Sequence, residues 1–377
     1  MNIDNIVLEF IRNARQSVHA DSLSESEEAK LKVLFVDCLS AVISRDNETQ
    51  VPTLIICNTY NKYSTILPVR LERNKYKYYL LYDIHLNEIN RLLNAIYYSD
   101  QDSEHDIWKL SYELFAEDSL LEENEALLSY YGLNKVALGP FEITQNDQIA
   151  SDFILDIQER YVMGHELGHW IYRVSANIGT NSITNFDSSE SSSVLLAEIK
   201  ELLSELYATY EKNFQEQEYI ELIREQKVLV LENDRILEEC FADAIAYAMV
   251  FKFVQDKYPN DQSQLLLAGQ ALFLEMMSLQ LLAMQHMTIT EESFEASTSV
   301  RLGFFRNYTY LYFEEIKDQF EHLLNKTVIR YEKRITNPML ECFAELERRA
   351  DNIYCALADA DGLLDTNKIL GLSNVLT

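Results

Sequence analysis

At 377 residues the chain is long enough to bury one large core or two moderate ones. Its 61 acidic side chains against 32 Lys and Arg give a formal charge of −29, a field that repels nucleic acid and anionic membrane surfaces and so excludes both as partners. The five cysteines, Cys38, Cys57, Cys240, Cys342 and Cys355, are odd in number and widely spaced with no CxxC, which excludes a disulfide framework or a cysteine zinc cluster.

In chain order, the opening Met1-Asn-Ile-Asp-Asn-Ile lacks a basic region followed by an apolar run, so the expected compartment is a reducing cytoplasm. Asn5 to Val18 and Glu27 to Ser44 read as amphipathic helices, the second opened by a Ser24/Glu27 capping box. Val51 to Val69, broken at Asn58 to Lys62, and then Lys75 to Asp83 are rich in Ile, Leu, Val and Tyr. They predict two or three strands, with a helix at Leu86 to Tyr98 directly after them. Acidic runs such as Glu122-Glu-Asn-Glu125 are caps and solvated faces.

The next element carries the chemistry. Within Tyr161-Val-Met-Gly-His-Glu-Leu-Gly-His-Trp170 stands an HExxH sequence, His165 to His169. On a helix these two imidazoles are one turn apart on one face, where they can share a tetrahedral zinc. Glu166, beside the first ligand, is placed to take a proton from metal-activated water. The stripe they occupy, with Phe153, Ile157, Tyr161, Gly168 and Tyr172, is otherwise apolar, and an unpaired imidazole there would be poorly solvated. Gly164 and Gly168 weaken a helix and make sense where another backbone packs closely.

A catalytic zinc needs a third protein ligand. Six residues beyond His169 stands Ser175, so no third histidine follows in the HExxHxxGxxH manner. Between the motif and the next good donor lies Gly179 to Ser193, dense in Ser, Asn, Thr and Asp. It reads as a loop, either a lid or a plain surface linker. Charged helices over Glu198 to Leu231 follow, then the Ala-rich Ile236 to Val250, a buried helix with Glu239 and Asp243 on one face. Glu239 can be the third ligand and Asp243 can accept the spare N–H of a ligating histidine. Glu238, about 140° round the helix from Asp243, cannot share that division of labour; both glutamates can equally be read as favouring the helix N-terminal dipole.

HExxH followed about seventy residues later by Glu239-x-x-Ala-Asp243 resembles the gluzincin metallopeptidases, most nearly the soluble relatives of the CAAX prenyl peptidases and Lit-like peptidases. The resemblance implies Zn2+ held by His165, His169 and Glu239, with Glu166 as base and Asp243 orienting His165. It also implies a zincin-like catalytic core in which a small sheet precedes the active-site helix. Its edge strand would hold substrate backbone, and Tyr76 to Tyr82 is the expected strand. Some relatives have a His-Pro near a later Arg; Ser297-Thr-Ser-Val-Arg301 has the Arg alone. Arg301 and His286 are the candidates for stabilising an oxyanion.

Downstream, Leu265 to Met284 is long and apolar but carries Glu275, Gln270 and Gln280, so it is expected as a buried core helix and not a membrane span. Helical patterns resume after Thr298 and run to about Leu364. The expected class is α+β, predominantly α-helical, in three regions: 1–145 with N-terminal helices and a sheet beside the substrate cleft, 146–300 as the zinc-binding core, and 301–377 as a C-terminal helical region. The function this predicts is a zinc-dependent endopeptidase acting on a protein or peptide, restrained by an activating or inhibitory partner and serving phage defence or stress signalling. The other readings are a helical interaction protein with a structural zinc closed by Cys240 or a degenerate site, and a zinc hydrolase of non-peptide amides.

Overall fold

In a computed structural model, residues 24–42, 51–57, 64–72, 75–100, 103–121, 124–142, 148–178, 192–213, 215–287 and 294–358 are described. The helix expected at Asn5 to Val18, most of the Gly179 to Ser193 loop and the tail from 359 lie outside them. The chain begins with α1 (Glu25–Val42), whose start is the expected capping box: the Ser24 N–H donates to Glu27 Oε2 at 3.0 Å and the Glu27 N–H to Ser24 Oγ at 3.3 Å. Three strands follow, β1 (Thr53–Cys57), β2 (Thr65–Glu72) and β3 (Lys75–Asp83). Asp83 ends β3 and caps α2 (Ile84–Tyr98) by accepting the His85 N–H. Helices α3 (Glu104–Leu121) and α4 (Glu125–Ala137) then form an aromatic-lined pair with Tyr112, Phe115, Tyr130 and Tyr131 in contact.

The second half has helices joined by short turns among its described residues: α5 (Gln148–Ile178), α6 (Ser192–Asn213), α7 (Gln217–Glu232), α8 (Asp234–Lys257), α9 (Gln262–Met287) and α10 (Phe294–Thr309). Two 3-10 turns lead to α11 (Lys317–Tyr331), which runs through a π turn at Glu332–Thr336 into α12 (Asn337–Ala358). Asn233 fixes where α8 begins, its side chain accepting the N–H groups of Arg235 and Ile236. Such a cap is worth about 1 kcal/mol and sets the first turns that carry Glu238 and Glu239. At the other end Asn260, with φ of 65°, turns the chain, and Asp261 opens α9 by accepting from Ser263 and Gln264.

The sheet has the order β1-β3-β2, with β1 parallel and β2 antiparallel to β3. Alternation along the strands separates two faces. Ile66, Tyr78, Leu80 and Tyr82 join the main helical core, whereas Ile55, Cys57, Tyr79 and Leu81 form a small cluster on the other face. This order corrects the expectation for Tyr76 to Tyr82. That segment lies in the central strand: β2 pairs along it and β1 pairs with it from Tyr79 onward; β2 is the edge that lies against α5. Pro68 fits an edge strand, since its missing N–H need not come from the ladder.

One hydrophobic cluster runs continuously from Leu31 in α1 to Ile353 in α12, so the three sequence regions share a core. Helix α9 contains a stretch, Gln262–Gln285, long and apolar enough to cross a membrane, with 72% of its apolar window buried inside the protein. Its Glu275 is fully buried and accepts from Asn90 at 2.7 Å, as expected of a core helix.

Candidate metal centre

Helices α5 and α8 pack so closely that a Cβ built on Gly168 would lie 2.6 Å from the Ala242 Cα, and one on Gly164 would lie 3.1 Å from the Ala246 Cα. The pairing is antiparallel, because higher numbers on α5 meet lower numbers on α8. Tyr161, His165 and His169 thereby face Asp243, Glu239 and Glu238 across a buried seam.

The imidazoles meet edge to face at 88°, with Nε2 of His165 3.1 Å from Nε2 of His169. Glu239 closes the third corner: its Oε2 is 3.3 Å from His165 Nε2 and its Oε1 is 3.6 Å from His169 Nε2. A tetrahedral zinc with bonds of about 2.0 Å has ligand–ligand edges of roughly 3.3 Å, so these donors suit a small divalent cation. His165, Glu166 and His169 are buried, with ligand atoms within 4.8 Å of one another, and this group could hold a metal ion. It contains no thiol; Cys240, beside Glu239, is a fully buried core side chain.

Each histidine is backed at Nδ1 by a different carboxylate. Asp243 Oδ1 lies 2.9 Å from His165 Nδ1, although the ring N–H does not point straight along that line. Glu238 Oε1 lies 2.8 Å from His169 Nδ1. Placing the ring protons at Nδ1 leaves both Nε2 lone pairs for a metal. Asp243 stands beside His165, the histidine it was expected to face. Glu238 was not expected, and the perpendicular rings explain it: the two Nδ1 atoms point to different flanks of α8, so carboxylates about 140° apart on that helix can each serve one histidine.

Behind the carboxylates stand two arginines. Arg301 Nε and Nη2 reach Asp243 at 2.8 and 2.7 Å, Nη1 reaches Glu239 at 3.1 Å, and Nη2 also donates to the Tyr161 hydroxyl at 2.9 Å. Tyr161 donates in turn to Asp243 at 2.6 Å. Arg301, expected among the oxyanion donors, thus directs its guanidinium at the Asp243 and Glu239 carboxylates and acts as their countercharge; the side chain of His286 lies outside the described residues. Arg173, one turn beyond His169, donates from Nε to Glu238 at 3.0 Å and from Nη1 to the Ile66 carbonyl at 3.1 Å. No family model, curated protein or solved structure matches this chain.

The electrostatics follow from this packing. Burial would raise the Asp243 carboxyl, yet Arg301 and then the His165 ring pull it down to about 2. Burial would likewise raise Glu239, but Arg301 and the two histidines hold it well below the usual carboxylate range. Burial and Arg301 push the His165 imidazole down, and Asp243 and Glu239 overcome both to lift it to about 9. Glu166 behaves differently. Burial raises its pKa, and only the imidazoles and a backbone N–H from Ile66 temper the rise. Fully ionised, the carboxylates of Glu166, Glu238, Glu239 and Asp243 outnumber the two guanidinium groups by two charges, the deficit a divalent cation would cancel.

Arg173 and the Ile66 backbone escaped the sequence reading, and Glu238 was set aside there as unable to share the work of Glu239 and Asp243, whereas it lies 2.8 Å from His169 Nδ1. The only signal for Glu238 was its adjacency to Glu239, and antiparallel packing had to be assumed before it meant anything.

Proposed function

We propose that this chain is a zinc metallopeptidase of gluzincin type, with a zincin-like core formed by α5, α8 and the small sheet. The observation that carries the reading is the convergence of His165 Nε2, His169 Nε2 and the Glu239 carboxylate at 3.1, 3.3 and 3.6 Å, with a fourth carboxylate, Glu166, beside them and free of the Nδ1 tasks. When bound, zinc supplies Lewis acidity, polarising an amide carbonyl and acidifying water.

The remaining work belongs to the side chains. His165, His169 and Glu239 hold the ion; Asp243 and Glu238 keep the Nδ1 protons in place; Arg301 balances the carboxylates so that they stay ionised. Glu166 holds its carboxylate in a buried setting that raises its proton affinity, which suits a group that accepts a proton from water and returns it to a leaving amine. A structural site has no use for such a base, and this favours the enzyme over the interaction-protein reading. Peptide and non-peptide amides share the chemistry; a polypeptide is the proposed substrate because the motif resembles that of the gluzincin metallopeptidases.

The deciding experiment is metal analysis of the wild type, Glu166→Gln and Glu239→Ala, followed by mass-spectrometric profiling of a proteome-derived peptide library. One zinc per chain in the first two, loss in the third, and peptide cleavage by wild type alone is the expected pattern. Zinc in all three moves the third ligand away from Glu239; equal cleavage by Glu166→Gln removes the base.

A further inference from the structure

The two histidines are held by separate relays of like design. His165 leads through Asp243 to Arg301 on α10, a residue enclosed among helices. His169 leads through Glu238 to Arg173, and Arg173 leads out of the helical layer to the Ile66 carbonyl of β2. The Ile66 backbone also faces Glu166, where its N–H lowers the carboxyl against the effect of burial. Glu166 and Arg173 are seven residues apart on α5, two turns along one face. Both face the backbone of a single residue on the sheet edge, Arg173 by a hydrogen bond to its carbonyl.

We infer that Arg173 is a positioning residue that fixes His169 through Glu238 and ties that histidine to the sheet edge at Ile66. The inference rests on the metal reading above and deepens it. The fork of a guanidinium is what the geometry demands: Nε serves the carboxylate while Nη1 serves the carbonyl, and an ammonium is a point charge that cannot present two donors in one rigid plane. Without Arg173, Glu238 loses the partner that directs it and its hydrogen bond to His169 loosens, and a ligand with a loosened orienting group binds metal more weakly, by roughly 10- to 100-fold. The consequence for the fold is that β2, α5 and α8 are joined at one point by polar contacts, so the placement of the edge strand and the orientation of a metal ligand are set together. The Arg301 relay has no such link to the sheet among the described contacts.

The test is a double-mutant cycle read as zinc affinity, by competition with a chromophoric chelator, on the full chain. Arg173→Ala is expected to weaken zinc by about tenfold. In a Glu238→Ala background the same change should add less than about twofold, and in an Asp243→Asn background it should keep its full effect. Arg173→Lys should resemble Arg173→Ala. Wild-type affinity in Arg173→Ala, an undiminished loss in the Glu238→Ala background, or full recovery with Lys would each overturn the relay. The 15N signals of His169 in metal-free protein provide a second readout independent of zinc binding. Arg173→Ala should shift the ring away from the Nδ1–H tautomer while thermal unfolding stays cooperative; an unchanged tautomer sinks the proposal. A wild type that binds no zinc overturns the metal reading, and the tautomer still decides the relay.

Discussion

Gly168 and Ala242 are in backbone contact: a Cβ on Gly168 would sit 2.6 Å from the Ala242 Cα and 3.0 Å from its carbonyl oxygen. No methyl fits there, and the spacing it permits lets Glu239 reach both imidazoles. Gly168→Ala gains about 1 kcal/mol of helix propensity but must push α8 away, and overpacking of this kind costs roughly 1–3 kcal/mol. The variant should unfold at a lower temperature and bind zinc more weakly. Calorimetry and chelator competition on one preparation check both; unchanged zinc affinity would mean that α8 moves without carrying Glu239.

Glu239→Ala should reduce zinc occupancy far more than Glu238→Ala. The first loses a donor at 3.3–3.6 Å from both Nε2 atoms, the second only a support at Nδ1. Elemental analysis after dialysis against a weak chelator gives the comparison, and the opposite ranking would exchange the roles of the two glutamates.

Glu166→Gln should keep zinc and stability while lowering hydrolysis by about 10²- to 10⁴-fold, the usual scale for losing a general base. Because burial raises the Glu166 carboxyl, in metal-free protein its side-chain carbon signal should titrate above the pH at which an exposed glutamate titrates. Titration at or below that pH would mean that Glu166 is solvated.

Zinc binding should strengthen with pH. In metal-free protein His165 holds a proton with a pKa lifted to about 9, and zinc must displace it. Affinity should therefore rise by about tenfold per pH unit from neutrality and level off above about 9. A flat dependence across that window, measured with a buffer-corrected chelator, would show that His165 is not the protonated partner.

Glu275 offers a test of the core alone. Burial pushes its carboxyl up to about 8 although Asn90 donates to it. A carboxyl with a folded pKa above its unfolded value binds more protons in the native state, so stability falls as pH rises from about 4.5 to 8. Glu275→Gln keeps the acceptor for Asn90 without a charge. It should unfold at a higher temperature than wild type at pH 8.5 and show little difference at pH 5. Equal melting temperatures at both pH values would mean that Glu275 is solvated.

What the sequence determined by itself is local. The Ser24/Glu27 cap, the strands within Val51 to Asp83, the helix bearing His165 and His169, and the pairing of Glu239 with Asp243 on one face all follow from spacing within a few residues, where helical and strand periodicity fix direction. Tertiary structure decided the rest, because it depends on how distant segments meet. The order β1-β3-β2 put Tyr76 to Tyr82 in the middle strand and made β2 the edge against α5. The antiparallel contact of α5 with α8, together with imidazoles turned 88° to one another, gave Glu238 to His169. The placement of Ile66 beside α5 drew in Arg173. None of these has a sequence period, since each partner lies tens of residues from the other and is chosen by packing.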